Sequence, residues 1–460
     1  MALRRGVMTE FLAIDIGASS GRHILGREIN GKLVLEEIYR FSNSPLEAGN
    51  RLVWNAERLF AEILTGLKRA KEIGRIPRYV GIDTWAVDYA LIDGDGKMID
   101  DVVSYRDGRT ARVIEKVHER VPFETLYERT GIQFQPFNTV YQLYEDKDSG
   151  RLEKAKYMLM LPDYLHYRLT GKMSREYTNA TSTGLVNARL RDWDSDIIRA
   201  LDLPEELFPE TQASGTKLGA FSKEIENIVG YSAEIILPAT HDTASAVIAA
   251  PFGGLYLSSG TWSLLGAEMK QPYTDEKSRR YNYSNEGSLD GVRLQKNIMG
   301  LWMIQQIRRE TNDAYSFAQL ADMARRSAND YLVDVNDNRF LAPANMRAEI
   351  EAAVGRSLDT GEIAYCIFSS LAKGYAQAVG EFETITKKKY DSLNIIGGGS
   401  KNELLNELTA RATGKHIYTG PTEATAIGNL AVQMVSAGVF DGIASARKVI
   451  KNSFEIGEIL

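Results

Sequence analysis

Two short turns rich in glycine, serine and threonine lie about half a chain apart and carry the clearest chemical signal in this sequence. Residues 15–22 (DIGASSGR) follow one apolar run, and residues 258–263 (SSGTWS) follow another. Glycine lets the backbone approach a bulky anion, while successive amides and hydroxyls donate hydrogen bonds to it. Two such turns, one in each half, predict two related domains that hold one polyphosphate between them, as in an ATP-binding cleft.

A carboxylate stands beside the first turn, because Asp15 ends the first predicted strand. Such a residue either hydrogen-bonds its own loop as a turn former or binds a magnesium ion next to the phosphates. Mg²⁺ keeps several waters and takes only one or two carboxylates together with phosphate oxygens. The second phosphate-type turn favours the magnesium interpretation, so we predict Mg²⁺ at Asp15.

Asp242 is the predicted general base. It follows His241 in a polar loop after a short strand, and α/β folds place ligands at the carboxyl ends of strands. The alternative is a helix N-cap, because Asp just before Thr243 is a favourable capping residue. In phosphoryl transfer the base orients the attacking hydroxyl and takes its proton late, so a carboxylate of ordinary acidity suffices. One side chain can serve both purposes.

Two further segments have the composition of a binding site. Residues 83–88 (DTWAVD) combine two carboxylates, a hydroxyl and an aromatic ring, a mixture that suits a polyol. A polar turn around a core tryptophan is the alternative there. Residues 397–399 are three glycines after a predicted strand. They form either a flexible loop or a surface against which a planar base can lie.

Composition and motifs exclude several classes of protein. The 460 residues, 44% hydrophobic and 25% charged, are typical of a soluble protein with two or three domains. The net charge of -6 argues against a nucleic-acid-binding face. The single cysteine, Cys366, lies in an apolar segment and is predicted to be a buried thiol. The sequence contains no Walker A motif, no dinucleotide-binding glycine motif and no zincin motif. Without a long apolar window or a secretion signal, we expect a cytoplasmic protein.

Hydrophobic periodicity and turn residues predict strands and helices in alternation, as in an α/β protein. The predicted strands are residues 11–16, 22–29, 32–41, 79–83, 88–92, 235–237, 255–257, 263–266 and 393–396. The predicted helices are residues 56–72, 243–250, 363–386 and 402–412. Residues 251–254 (PFGG) read as the joint, so we predict a first half (1–250) and a second half (251–460) that pack together around a hinge.

These motifs together resemble the FGGY carbohydrate kinases. The stretches that carry the resemblance are residues 15–22, 81–88, 131–139, 161–164, 177–181, 241–247, 256–263, 296–302 and 397–399. They run from residue 12 to about 435, nearly the whole chain. The resemblance implies an α/β fold of two actin-like (ribonuclease H-like) domains with an ATP and sugar cleft between them.

The resemblance also implies a role for individual residues. It implies that Asp242 is the catalytic base, flanked by His241 and Thr243. The implied sugar contacts are Ala86, His241, Asp242, Thr243 and Asn297. The implied ATP contacts are Ala18, Ser19, Ser20, Gly21, Arg22, Thr261, Gln305, Gly398 and Gly399. Ala86 departs from the family, which usually has glycine where the sugar passes close to the backbone.

The implied reaction is transfer of the ATP γ-phosphate to O1 of L-rhamnulose in L-rhamnose breakdown, by a monomer or homodimer without nucleic-acid or membrane partners. A sister kinase for L-fuculose, D-xylulose or glycerol is the alternative, and Ala86 favours it. An actin-like ATP switch would not need Asp242 or the polar residues 83–88. A ribonuclease H-type nuclease would want clustered carboxylates and a basic face, which the negative net charge opposes.

Overall fold

The computed structural model describes residues 9–460 as a chain of alternating strands and helices. The strands are β1 Phe11–Ile16, β2 Ser20–Ile29, β3 Lys32–Ser42, β4 Leu46–Ala48, β5 Arg51–Trp54, β6 Tyr79–Thr84, β7 Tyr89–Ile92, β8 Val102–Val103, β9 Tyr157–Met160, β10 Val186–Asn187, β11 Asp192–Trp193, β12 Lys217–Ala220, β13 Glu234–Ile236, β14 Leu255–Ser259, β15 Trp262–Met269, β16 Ser284–Ser288, β17 Gly291–Met299, β18 Ser392–Ile396, β19 His416–Thr419 and β20 Gly457–Ile459. The helices are α1 Ala56–Glu72, α2 Ile114–Arg120, α3 Phe123–Thr130, α4 Thr139–Asp148, α5 Leu161–Thr170, α6 Tyr177–Ala180, α7 Ser195–Ala200, α8 Lys223–Val229, α9 Asp242–Ile248, α10 Glu276–Arg280, α11 Trp302–Glu310, α12 Phe317–Arg326, α13 Met346–Val354, α14 Thr360–Thr386, α15 Glu403–Thr413, α16 Ala424–Ser436 and α17 Ile443–Ser453.

Two large sheets repeat one plan. In the first sheet β1, β2 and β3 form an antiparallel meander, and β6 and β13 continue parallel to β1. In the second sheet β14, β15 and β17 form the meander, and β18 and β19 continue parallel to β14. The first β–β connection of each sheet holds one of the two glycine-rich turns. The prediction of two related domains with one turn each is therefore confirmed.

Local sequence explains the elements around the first turn. Every residue of β1 is buried, as expected of a strand inside a sheet with both faces covered. Asn30 and Gly31 both have positive φ, the geometry of a tight two-residue hairpin, which confirms the predicted turn between β2 and β3. Helix α1 matches its predicted bounds, and Asn55 caps it by accepting a hydrogen bond from the Arg58 amide.

The two halves pack directly against each other. Helix α16 of the second half lies on α9 and β1 of the first. Within this contact Gln433 Nε2 donates to the Leu12 carbonyl at 3.0 Å, and Asn429 Nδ2 donates to the Gly81 carbonyl at 3.1 Å. Residues 251–254 form the irregular connection between α9 and β14. The division of the chain into folding units at residue 250 stays a prediction.

Two smaller expectations concern single features. Cys366 lies inside α14 with no exposed surface, as predicted for a buried thiol. Among residues 9–460, no helix combines the length and the apolar character that crossing a membrane requires.

Candidate active site

One large cavity of about 850 Å³ separates the two sheets and takes side chains from both halves. The predicted site residues that line it are Asp15, Ala18, Ser19, Ser20, Arg22, Ala86, His241, Asp242, Thr243, Thr261, Asn297, Gln305, Gly398 and Gly399. Gly21 alone of the predicted set lies outside the lining. A Cβ at this position would meet the Phe41 ring at 2.1 Å, so Gly21 is needed for packing behind the turn.

The first turn is held from behind by one side chain that sequence reasoning missed. The Gly17 amide donates to the Ser20 carbonyl at 2.9 Å and closes the turn. Asn43 donates its side-chain amide to the Gly17 carbonyl at 2.9 Å and its backbone amide to the Ser19 carbonyl at 3.0 Å. Because Asn43 occupies these carbonyls, the turn keeps one shape with its hydroxyl side chains toward the cavity.

The second turn is braced by the start of α11. The Leu301 amide donates to the Gly260 carbonyl at 2.9 Å, and the Trp302 amide donates to the Thr261 carbonyl at 3.1 Å. This close approach needs a glycine at position 300, because a Cβ there would lie 2.6 Å from the Trp262 carbonyl carbon. The brace also brings Gln305, one helical turn along, to the cavity wall.

The three glycines at 397–399 lie against the second turn. Gly397 has a φ of 82°, a left-handed conformation that favours glycine. A Cβ on Gly399 would come within 1.9 Å of Ser259 Oγ. The segment is therefore a site of close backbone approach at the cavity wall, which agrees with the predicted surface for a planar base.

Asp242 is the first residue of α9, and its carboxylate is open to the cavity. His241 is the N-cap residue, so the N-cap interpretation of Asp242 is wrong. Asp242 Oδ1 accepts from the Thr243 amide at 2.5 Å and from Thr243 Oγ1 at 3.2 Å, and 30% of the side chain is exposed. A partly solvated carboxylate with its second oxygen free is suited to accept a proton from a bound hydroxyl.

Two carboxylates, Asp15 and Glu423, flank the guanidinium of Arg22 at the cavity wall. Asp15 and Arg22 face each other across β1 and β2, with Asp15 Oδ2 3.4 Å from Arg22 Nε. Arg22 Nη1 also lies 2.8 Å from Glu423 Oε2. Burial raises the pKa of Asp15 to about 6; the charge of Arg22 lowers it, and those of Asp242 and Glu423 raise it further. This surplus of negative charge would be relieved by a cation.

The carboxylates of residues 83–88 do not reach the cavity, contrary to the polyol interpretation. Asp83 is fully buried and accepts from Asn429 Nδ2 at 2.6 Å. Asp88 accepts from the indoles of Trp54 and Trp85 at 2.7 and 2.8 Å. Strand β7 begins one residue later than predicted because Val87 has a positive φ. The segment instead presents Trp85, Ala86 and Val87 to the cavity.

At the cavity wall the side chain of Gln133 joins the first half to the backbone of Asn297 in the second. The Asn297 backbone N–H donates to Gln133 Oε1 at 2.9 Å, and Gln133 Nε2 donates to the Asn297 backbone carbonyl at 3.3 Å. Gln133 lies before α4 in the first half, whereas Asn297 lies on β17. Glu286 on β16 lines the same cavity, and no motif in the sequence signalled it.

A duplicated sheet domain, a phosphate-type turn in each copy and an open carboxylate between them define the class of actin-like phosphotransferases. Models of the FGGY family of carbohydrate kinases match this chain twice, the N-terminal domain over residues 10–249 and the C-terminal domain over residues 255–437. The chain belongs to this family and is an ATP-dependent sugar kinase.

Curated relatives match nearly the whole chain. A rhamnulokinase of Halalkalibacterium halodurans is 50% identical over 459 residues, which covers 98% of this chain and 98% of that protein. A rhamnulokinase of Bacillus subtilis is 43% identical and covers 97% of this chain and 94% of that protein.

Solved structures share the fold at low sequence identity. A gluconate kinase of Lactobacillus acidophilus superimposes with a TM-score of 0.80 at 16% identity, covering 96% of this chain and 92% of that one. A xylulose kinase of Rhodospirillum rubrum superimposes with a TM-score of 0.74 at 15% identity, covering 98% and 94%. The predicted fold class, two actin-like α/β domains around a cleft, is confirmed.

Proposed function

We propose that this kinase transfers the γ-phosphate of ATP to O1 of L-rhamnulose, with Asp242 as the general base. The observation that carries the mechanism is that Asp242 opens into the same cavity as both phosphate-type turns. The substrate is inferred from full-length relatives that are named rhamnulokinase and are 39–50% identical to this chain. We further propose that the enzyme acts in the cytoplasm as a monomer or homodimer.

ATP would lie across the cavity between the two turns. The hydroxyls and amides of residues 18–22, with Thr261 from the second turn, would hold the phosphates. Gln305 and the glycines 398 and 399 would border the base and ribose, because all three line the cavity and glycine lets a ligand approach the backbone closely. Arg22 would add a positive charge at the phosphates. Its present partners, Asp15 and Glu423, show that the side chain reaches into this space.

The residues present fit a magnesium ion held by few protein ligands. Within the described chain no three His, Cys, Asp or Glu side chains converge as a self-sufficient metal site. Asp15, whose pKa burial and nearby carboxylates raise to about 6, is a single buried oxygen donor facing the phosphate turn. Mg²⁺ bound with ATP typically takes one or two carboxylates plus phosphate oxygens and supplies charge neutralisation there.

Asp242 would orient the O1 hydroxyl of the sugar toward the γ-phosphorus. As the bond from O1 to phosphorus forms, the bond from the γ-phosphorus to the β,γ-bridging oxygen breaks and ADP leaves. The O1 proton passes late to the free oxygen of Asp242, because the transition state is loose and the hydroxyl keeps its proton until then. The carboxylate needs no unusual acidity for this role.

The sugar would lie between Ala86 on one side and Asn297 on the other, with His241 and Thr243 beside the base. All four line the cavity, and Asn297 is hydrogen-bonded to Gln133 of the first half. Closure of the halves around ATP and sugar would exclude water and direct phosphate to the sugar hydroxyl.

The test is the substitution Asp242→Asn with [1-¹³C]-L-rhamnulose as substrate. We expect turnover to fall by about 10²- to 10⁴-fold, the usual contribution of general acid–base catalysis, while ATP still binds. ¹³C and ³¹P NMR of the wild-type product should show phosphorus coupled to C1. The exposed Asp441→Asn is the matched control and should keep full activity. Retained turnover in Asp242→Asn would reduce Asp242 to a structural residue.

A further inference from the structure

We propose that Glu286 of the second half is a positioning residue of the sugar site. Together with Arg293, its carboxylate contacts the Nδ1 edge of His241 and so fixes the imidazole beside the base Asp242. This inference rests on the proposed function, because the reacting sugar is taken to lie against His241. The base Asp242 and the sugar contact His241 both belong to the first half, and Glu286 adds a residue from the second half to the site.

The imidazole of His241 spans the gap between two carboxylates. His241 Nδ1 lies 3.1 Å from Glu286 Oε2, and His241 Nε2 lies 3.4 Å from Asp242 Oδ1. Both His241 and Glu286 are about 95% buried and both line the cavity. The ring therefore cannot rotate without losing the Glu286 contact, so Glu286 decides which edge of the imidazole faces Asp242 and the sugar.

Glu286 is in turn held by Arg293, which lies directly opposite on β17. Arg293 is fully buried, and its Nη2 lies 3.2 Å from Glu286 Oε2 and 3.1 Å from His241 Nδ1. Its Nε donates to the Gly287 carbonyl at 3.0 Å, which fixes the guanidinium on the strand. Cross-strand register, rather than sequence proximity, thus places a cation behind the carboxylate.

Two groups of the second half hold the Nδ1 edge of His241. Arg293 Nη2, which can only donate, lies 3.1 Å from His241 Nδ1, and Glu286 Oε2 lies at the same distance from that nitrogen. Burial alone would raise the pKa of Glu286, but the hydrogen bond and charge of His241 and the charge of Arg293 lower it to about 2. Glu286 is therefore an acceptor throughout the working range of pH.

Strand β16 keeps Glu286 in register with the first half. On either side of it the Asn285 amide donates to the Gly131 carbonyl, and the Gly287 amide donates to Thr181 Oγ1, both at 2.8 Å. A Cβ on Gly287 would lie 2.7 Å from the Tyr177 ring, so the two halves are tightly packed at this position. A buried Glu–Arg pair carries a desolvation penalty and is often no more stabilising than apolar residues of similar size, so its presence here fits a role other than stability, the orientation of His241.

The first test is Glu286→Gln, which keeps the shape of the side chain and removes its charge. We expect KM for L-rhamnulose to rise and kcat to fall, each by about tenfold or more, while KM for ATP stays within about twofold. The matched control is Glu383→Gln in α14, because Glu383 is a buried carboxylate of the same half that pairs with Lys389 and Lys415 outside the cavity lining, and the change should not affect either constant. The proposal would be overturned if Glu286→Gln had wild-type kcat and KM values, or if its KM values for L-rhamnulose and ATP rose by the same factor.

A second measurement does not depend on the identity of the sugar. The protein has five histidines, so the ¹⁵N signals of His241 can be assigned by substituting the others one at a time. We expect these signals to shift in Glu286→Gln and in Glu286→Asp, which keeps the charge but moves it away from His241, and to match the wild type in Glu383→Gln. Unchanged His241 signals in either Glu286 variant would overturn the proposal. If the wild type does not phosphorylate L-rhamnulose, the proposed substrate fails, while this spectrum still decides the role of Glu286.

Discussion

Gly428 in α16 crosses Ser245 in α9 so closely that a Cβ on the glycine would lie 1.8 Å from the Ser245 carbonyl oxygen. The first of these helices belongs to the second half, and the other begins with Asp242. The helix that carries the proposed base Asp242 therefore packs against the opposite half with backbone next to backbone, without a side chain between them. Residues 251–254 connect the halves covalently, and this helix crossing is one of the places where the halves pack together.

Gly428→Ala should separate the two helices, because the methyl group would collide with a backbone oxygen that cannot rotate away. We expect a loss of about 1–3 kcal/mol of stability, the usual cost of overpacking, together with lower turnover because Asp242 moves with α9. Thermal unfolding and kcat measure the two effects. The control is Gly380→Ala in α14, where a Cβ would have no neighbour within 4 Å. That change should be neutral or stabilising, so an equal loss in both variants would contradict this account.

Ala86→Leu should block the sugar and spare the nucleotide. Ala86 lines the cavity next to Trp85, and a leucine would fill space that the proposed sugar needs. We expect kcat/KM for L-rhamnulose to fall by about 100-fold or more, with the Kd for ATP unchanged. Ala86→Gly is the control and should keep activity within a few-fold. Full activity in Ala86→Leu would place the sugar elsewhere in the cavity.

Asp163 in α5 predicts a dependence of stability on pH. Burial raises its pKa to about 7; the hydrogen bond from Ser174 lowers the pKa, and the charge of Glu176 raises it. Ser174 Oγ donates to Asp163 Oδ1 at 2.8 Å, and the side chain has no exposed surface. The folded protein therefore binds this proton more tightly than the unfolded chain, whose ordinary pKa is 3.8.

The sign follows from this difference in pKa. The contribution of Asp163 to stability is complete below pH 4, declines as pH rises and is lost above about pH 7. Asp163→Asn cannot ionise, so its melting temperature should exceed that of the wild type by a few degrees at pH 8 and by much less at pH 5. Melting curves at both pH values test this, with Asp441→Asn at the exposed surface as control. The same difference at both pH values would show that Asp163 does not titrate in this range.

Hydrolysis of ATP in the absence of sugar should be slow. If the halves close around both substrates and exclude water, ADP release without sugar should be at least about 100-fold slower than kinase turnover, a difference of about 2.7 kcal/mol. Steady-state ADP release with and without L-rhamnulose measures this ratio. Similar rates would mean that the cavity does not exclude water when phosphate is transferred.

Local sequence was enough to predict the helices and turns whose determining residues all lie within one short segment. Helix α1 has its cap at Asn55 and its buried stripe within seventeen residues, and both turns carry their glycines and hydroxyls in one run. The bounds of α14 differ from the prediction only at the start, because Asp359 forms a capping box with Glu362 that extends the helix by three residues.

The residues that the sequence did not reveal, or placed wrongly, are those whose role depends on partners far away in the chain. Glu423 lies 401 residues from Arg22, and Glu286 meets His241 only because two sheets face each other. The direction of Asp83 and Asp88 depended on alternation along β6 and on the turn at Val87, which composition does not reveal. Residue types thus predicted that a polar cluster exists, but not which members face the cavity.

The most direct test of the central claim is ADP release with Mg-ATP against L-rhamnulose, L-fuculose, D-xylulose, glycerol and no sugar. We predict the highest kcat/KM with L-rhamnulose and nearly none without sugar. A clear preference for another sugar would keep the kinase mechanism and contradict the proposed substrate. No activity with any sugar would contradict the account as a whole.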